Sequence, residues 1–123
     1  MRDYVRTRFD GGGVHVNSGI PNHAFYRAAT LLGGRAWEVA GKIWYHALTR
    51  RLRATSRFEQ CADATFASAG ELYGRGSAPH DAVREAWKAV GISVSEAAPA
   101  RSRSNAIYEI PGAAAEARFF PIA

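Results

Sequence analysis

The 123-residue sequence predicts a mainly α-helical bundle. Three observations carry that expectation: four segments with apolar residues at spacings of three and four, short Gly- or Ser-bearing turns between them, and capping signals at their starts. The first segment, 21–32, opens on Pro21, whose missing N–H suits the first turn of a helix. Ala24, Phe25, Ala28, Leu31 and Leu32 share its apolar face, and Gly33-Gly34 ends it. The second, 36–52, keeps the helical period through Trp37, Ala40, Ile43 or Trp44, Ala47 and Leu48. Arg50, Arg51 and Arg53 sit near its C-terminal end, where cations suit the helix dipole. The third, 56–73, opens with Ser56-Arg57-Phe58-Glu59, which reads as a capping box. Phe58, Cys61, Ala62, Thr65, Ala69 and Leu72 carry its pattern, and Gly74 closes it. The fourth follows Ser77-Ala78-Pro79, aligns Ala82, Val83, Ala86, Trp87 and Val90, and stops at Gly91. Residues 1–20 read as a glycine-rich loop and 95–106 as a linker. Residues 106–110 and 118–122 read as a short strand pair in the C-terminal tail.

Composition supports a folded chain. Hydrophobic residues make up 47%, with three Trp, five Tyr and six Phe, which argues against disorder. The net charge of +5 permits an acidic partner or nucleic acid without specifying either. Arg50-Arg51-Leu52-Arg53 is the best candidate for a phosphate-contacting patch. No aromatics interleave it, so a solvated helix end is the expected reading and nucleic acid is not the expected partner. The single cysteine, Cys61, excludes an intrachain disulfide and falls in a helical pattern as a small packed residue. The opening Met1-Arg2-Asp3-Tyr4 shows no signal peptide. No stretch reaches the roughly 18 apolar residues of a membrane span.

The feature that points to chemistry is Asp10-Gly11-Gly12-Gly13-Val14-His15. Consecutive glycines weaken a helix or strand, but they suit a backbone that turns tightly or lets another group approach. An aspartate placed to reach back to His15 would fix its tautomer, and a histidine so held can stabilise a developing oxyanion. A histidine satisfied by loop carbonyls is the other reading of the same residues. Trp37 and Trp44, seven residues apart, have core spacing, and His46 and His80 lie within helical patterns as surface or packed residues.

The run from Asp10 to Tyr26 resembles the D-N-G-G-V-H-x-N-S-G-I-x-N motif of thermolysin-like neutral zinc metallopeptidases. Leu32-Gly33-Gly34, Ala40-Gly41-Lys42-Ile43-Trp44-Tyr45, Leu72-Tyr73-Gly74 and Val90-Gly91-Ile92 follow in the family's order, with wording nearest the protealysin-like branch. The resemblance implies a helical C-terminal domain over residues 1–94, with 95–123 left as an unassigned tail. It implies that His15 hydrogen-bonds the tetrahedral intermediate, as the proton donor, and that Asp10 orients it. Gly13 and Asn17 are the candidates for the substrate wall. Gly11 departs from the family's asparagine, which should loosen the turn.

Hydrolysis of that type needs a zinc held by two histidines and a carboxylate, with a glutamate as base. None of His15, His23, His46 and His80 is followed by Glu or by a His four residues on. The family's zinc ligands and calcium-binding carboxylates precede the stretch present here, so no metal ligand is assigned, and zinc and calcium are expected only in the complete enzyme. The expected function is therefore the C-terminal half of a zinc metalloendopeptidase, inactive alone. Its partners would be the zinc-binding half and, in the complete enzyme, a peptide substrate. The alternative is a non-catalytic interaction module or homodimer that uses the exposed apolar wall, with the arginine cluster open to nucleic acid. The family is mostly secreted, but localisation is left open.

Overall fold

The computed structural model describes residues 1 and 3–96, and within them every regular element is helical. The order is α1 (Asp10–Asn17), α2 (Gly19–Leu32), α3 (Ala40–Arg50), α4 (Phe58–Tyr73) and α5 (Ala78–Ala89). The strand pair expected in the tail lies outside the described residues. Helix α2 packs on α5, α5 on α4 and α4 on α3, with α2 also touching α3. Among the described residues no helix is long and apolar enough to cross a membrane.

Small side chains let these helices approach closely. Ala24, Ala28, Ala40, Ala47, Ala62, Ala69, Ala82 and Ala86 are all buried. The remaining space is filled by a few large groups: Ile20, Ile43, Phe66, Val83, Ile92 and, fully enclosed, Trp87. The Trp87 indole lies parallel to Trp44, with ring centroids 6.3 Å apart, and Trp44 meets Phe25 edge-on at 5.3 Å. One polar atom had to be accommodated in this packing. Trp87 Nε1–H donates to Thr65 Oγ1 at 2.7 Å, and the Thr65 hydroxyl donates in turn to the carbonyls of Cys61 and Ala62. Cys61 packs against the same core, and burial pushes its thiol up, away from the reactive thiolate.

Helix α2 begins at Gly19, ahead of the expected Pro21, and α3 ends at Arg50, short of the expected 52; three further differences have a local reason. Helix α3 starts at Ala40 rather than 36, because Glu38 folds back to accept the Arg35 N–H and closes a separate turn over 36–39. Trp37 is therefore 67% exposed beneath the Arg35 guanidinium and does not join the core. The N-cap of α4 is Arg57, not Ser56. Gln60 Oε1 accepts the Arg57 N–H at 2.8 Å, while the Ser56 hydroxyl accepts from Arg53 N–H. Residues 10–17, read as loop, are coiled, with a reversal of hand described below. Within the arginine cluster Arg51 is paired with Glu71 of α4, while Arg50 and Arg53 are exposed.

His80 lies in the first turn of α5 and is packed. Its ring stacks on Phe66 at 3.8 Å, its Nδ1 accepts the Gly76 N–H at 3.1 Å, and a Cβ on Gly70 would approach the ring to 3.3 Å. Burial, then the nearby Arg84, holds its pKa below the usual 6.5.

Thr65→Val keeps the shape but leaves the buried indole N–H without an acceptor, which should destabilise the fold by about 1–3 kcal/mol. A chemical-denaturation midpoint that does not fall would refute this. A lowered histidine pKa means that the unfolded chain binds more protons near pH 6.5 than the folded one. Stability should therefore be level above neutrality and decline as pH drops through 6.5 towards the folded-state pKa. His80→Gln should flatten that part of the curve in pH-resolved melting.

Candidate functional site

The site begins with a reversal of backbone hand. Asp10, Gly11, Gly12 and Gly13 have φ of 57°, 56°, 90° and 80°, a left-handed turn that L residues with side chains rarely adopt. Asp10 is the one non-glycine residue with positive φ among those described, and aspartate tolerates that region better than most. Gly11, at φ 56° and ψ 32°, occupies a conformation that the family's asparagine would accept too, and a Cβ there would meet nothing closer than 3.8 Å. From Val14 the chain winds right-handed, with Ser18 N–H donating to Val14 O at 3.0 Å.

The change of hand leaves the N–H of His15 without a helical acceptor, as at any helix start. Asp10 fills that role and more. Its Oδ2 accepts the His15 backbone N–H at 2.9 Å, and its Oδ1 is paired with His15 Nδ1. One carboxylate thus fixes both the main chain and the ring of the same residue. With Nδ1 turned to Asp10, Nε2 is the nitrogen left to meet a ligand, where it can hold or give a proton. The His15 side chain is 88% exposed, with Phe9, Val14 and Val16 also exposed nearby in sequence. In so open a position the contact between the two side chains is exposed to water and contributes little to stability.

Gly13 and Asn17, the two candidates for a substrate wall, are both buried. The Asn17 amide bonds both main-chain groups of Val5: Oδ1 accepts the Val5 N–H at 2.8 Å, and Nδ2 donates to Val5 O at 2.9 Å. A Cβ on Gly13 would come within 3.0 Å of Thr7 Cγ2 and 3.1 Å of Asn17 Nδ2. The contact between Asn17 and Val5 has no signature in the sequence, because the residues are twelve apart in a segment without periodicity. Beside this loop an open groove of about 1040 Å³ is lined by Tyr4, Arg6, Gly12, Val14, Arg57 and Phe58, among others, but not by His15.

The remaining histidines are engaged elsewhere. His23 lies beside Tyr26, His46 Nδ1 meets Ser68 Oγ at 3.0 Å, and His80 is in the core. Among the described residues, no three His, Cys, Asp or Glu side chains converge to hold a metal.

Comparison with known proteins identifies the helical fold. Residues 1–92 match the family described as thermolysin metallopeptidase, alpha-helical domain. Over 95 residues the chain is 47% identical to an extracellular metalloprotease of Pectobacterium carotovorum subsp. carotovorum, covering 76% of this chain and 27% of that protein. It is 41% identical over 92 residues to an extracellular elastase of Staphylococcus epidermidis, covering 75% of this chain and 17% of the relative. The precursor of protealysin, a metalloproteinase from Serratia proteamaculans, superimposes with a TM-score of 0.71 at 47% identity, over 76% of this chain and 29% of that one. The chain thus spans between 17% and 29% of the length of these relatives.

Gly13→Ala is expected to lower thermal stability, because it combines a positive φ with two contacts near 3 Å. Gly12→Ala has the φ cost but open space, so it should lower the melting temperature less. Equal losses would show that the space beside Gly13 is immaterial.

Proposed function

This chain belongs to the thermolysin metallopeptidases as their α-helical C-terminal domain, and from that membership we propose that it supplies one half of a peptidase active site. In this reading residues 1–94 form the domain, Asp10 holds the ring by its Nδ1–H, and His15 in its imidazolium form donates a hydrogen bond from Nε2 to the oxyanion of the tetrahedral intermediate. The other half, carrying the zinc, would supply the metal chemistry and the opposite wall of the cleft.

The observation that carries this reading is a mismatch between preparation and exposure. Asp10 fixes His15 at two points, yet the imidazole stands 88% exposed. Oxyanion stabilisation is strong only where donors are preorganised and water is excluded. The chain has the first property at His15 and lacks the second, as expected of a surface that a second domain covers. The exposed apolar side chains Phe9, Val14 and Val16 near it in sequence suit such a cover.

The exposed Tyr26, Trp37 and Tyr45 keep a second reading in view, a module that buries its apolar surface against another copy of itself. Sedimentation across a range of concentrations separates the two. A monomer throughout favours the half-site.

Mixed with a separately produced zinc-binding half of a thermolysin-like peptidase, the chain should restore hydrolysis of a furylacryloyl peptide, which neither part achieves alone. His15→Ala should then lower kcat by about 10²- to 10³-fold, the usual loss for one oxyanion donor, with KM little changed. Asp10→Asn should lower it by a smaller factor. Full activity with His15→Ala would overturn the assignment.

A further inference from the structure

Asn17 is 4% exposed, which removes it from contact with any peptide lying along the surface. Its amide does what a neighbouring strand would do for Val5, accepting its N–H and donating to its C=O. A third, longer contact runs from Nδ2 to Gly12 O at 3.4 Å, inside the left-handed turn. The two ends of the segment from Val5 to Asn17 are thereby tied together, and Asp10 and His15 both lie within the closed ring. Gly13 belongs to the same device. The space where its side chain would stand lies 3.1 Å from Asn17 Nδ2 and 3.4 Å from Val5 O, so a side chain there would crowd the amide where it lies across to Val5.

Ring closure matters because the bonds inside the turn are local: Phe9 O accepts the N–H of Gly12 at 3.1 Å and of Gly13 at 3.0 Å, whereas the Asn17 amide ties the turn back to Val5. Phe9 is 84% exposed and Gly12 has open space around it. Three glycines in succession have wide conformational freedom unless their ends are held. The Asp10–His15 pair is solvated and cannot hold the turn by itself.

We propose that Asn17, with the space Gly13 leaves beside it, is a positioning residue that fixes the Asp10–His15 geometry by tying Val5 to the helix that carries His15. This rests on the reading of His15 as the donor, but it concerns the pair in the free chain, so it stands or falls without any peptidase assay. It also replaces the role of substrate wall for both residues: they act behind the site and do not touch the ligand.

The test uses the full chain labelled with ¹⁵N-histidine at about pH 8, above the ordinary imidazole titration. Long-range ¹H–¹⁵N spectra distinguish rings protonated at Nδ1 from those protonated at Nε2, and His15→Ala assigns the signal. In the unaltered chain His15 should be mainly the Nδ1–H form, as the Asp10 contact requires. Asn17→Ala should lower the ratio of Nδ1–H to Nε2–H by about fivefold, the scale of one hydrogen bond. Asn17→Asp keeps the acceptor for Val5 N–H and loses the donor, so it should fall between the two and partly rescue the signature. Thr65→Val, which destabilises the core elsewhere, should leave the ratio unchanged. The proposal is overturned if Asn17→Ala melts earlier with an unaltered His15 ratio, or if Thr65→Val shifts the ratio as much. Should Asn17→Ala not fold, Asn17→Asp decides: an unaltered ratio there is equally fatal.

Discussion

The hydrogen bond from Trp87 to Thr65 is the constraint around which the bundle is arranged. An indole is the largest side chain available, and enclosing one fully requires an acceptor at its single polar atom. Thr65 supplies it from α4, so α4 and α5 are fixed in register as well as in spacing. The rest is stacked outward from that point. Trp87 lies against Trp44 of α3, and Trp44 against Phe25 of α2. Since α2 follows α1 across a single residue, Ser18, the aromatic series also sets where the His15 loop sits. The alanines are the complement of this arrangement: helices that must converge on a few large groups need small residues everywhere else.

The site uses a different principle. It is built on a surface turn whose strength comes from backbone pairing rather than packing. Asp10 serves as helix cap and as ring partner at once, which explains why an aspartate stands at the strained start of the turn. An asparagine there could still accept the His15 N–H but would bring no charge to the ring, and a glutamate would place its carboxylate one carbon farther out. The loop and the core meet at Ile20, buried on α2 a few residues beyond Asn17, so the pair inherits its orientation from the bundle.

Much of the fold was legible because helical burial repeats. Ala24 with Ala28, Ala62 with Thr65 and Ala69, and Val83 with Trp87 lie where spacing puts them. Other features were not legible, some because they depend on a single side-chain contact and some because they lie in the main chain. Glu38 reaching Arg35 delays α3 and strands Trp37 in solvent, although its spacing from Trp44 suits a core. Gln60 rather than Glu59 closes the start of α4, because both positions carry residues able to accept. The left-handed winding of residues 10–13 leaves no periodic trace. At the site, the pairing of Asp10 with His15 could be read from the glycines between them and from the family motif. The clamp on Val5 could not, since main-chain atoms carry no residue identity and the amide that grips them looks like any asparagine.

The left-handed turn has a chemical corollary. A run of four residues at positive φ is the backbone that residues of inverted chirality adopt by preference. Protein synthesis offers no such residues, and glycine, achiral and indifferent to hand, is the substitute it has. Asp10 is the exception, a chiral residue held on the wrong side of the map by its own side chain. Three achiral positions and one reluctant L-aspartate together make a short stretch of left-handed backbone, and the pair of Asp10 and His15 straddles the seam where the two hands join.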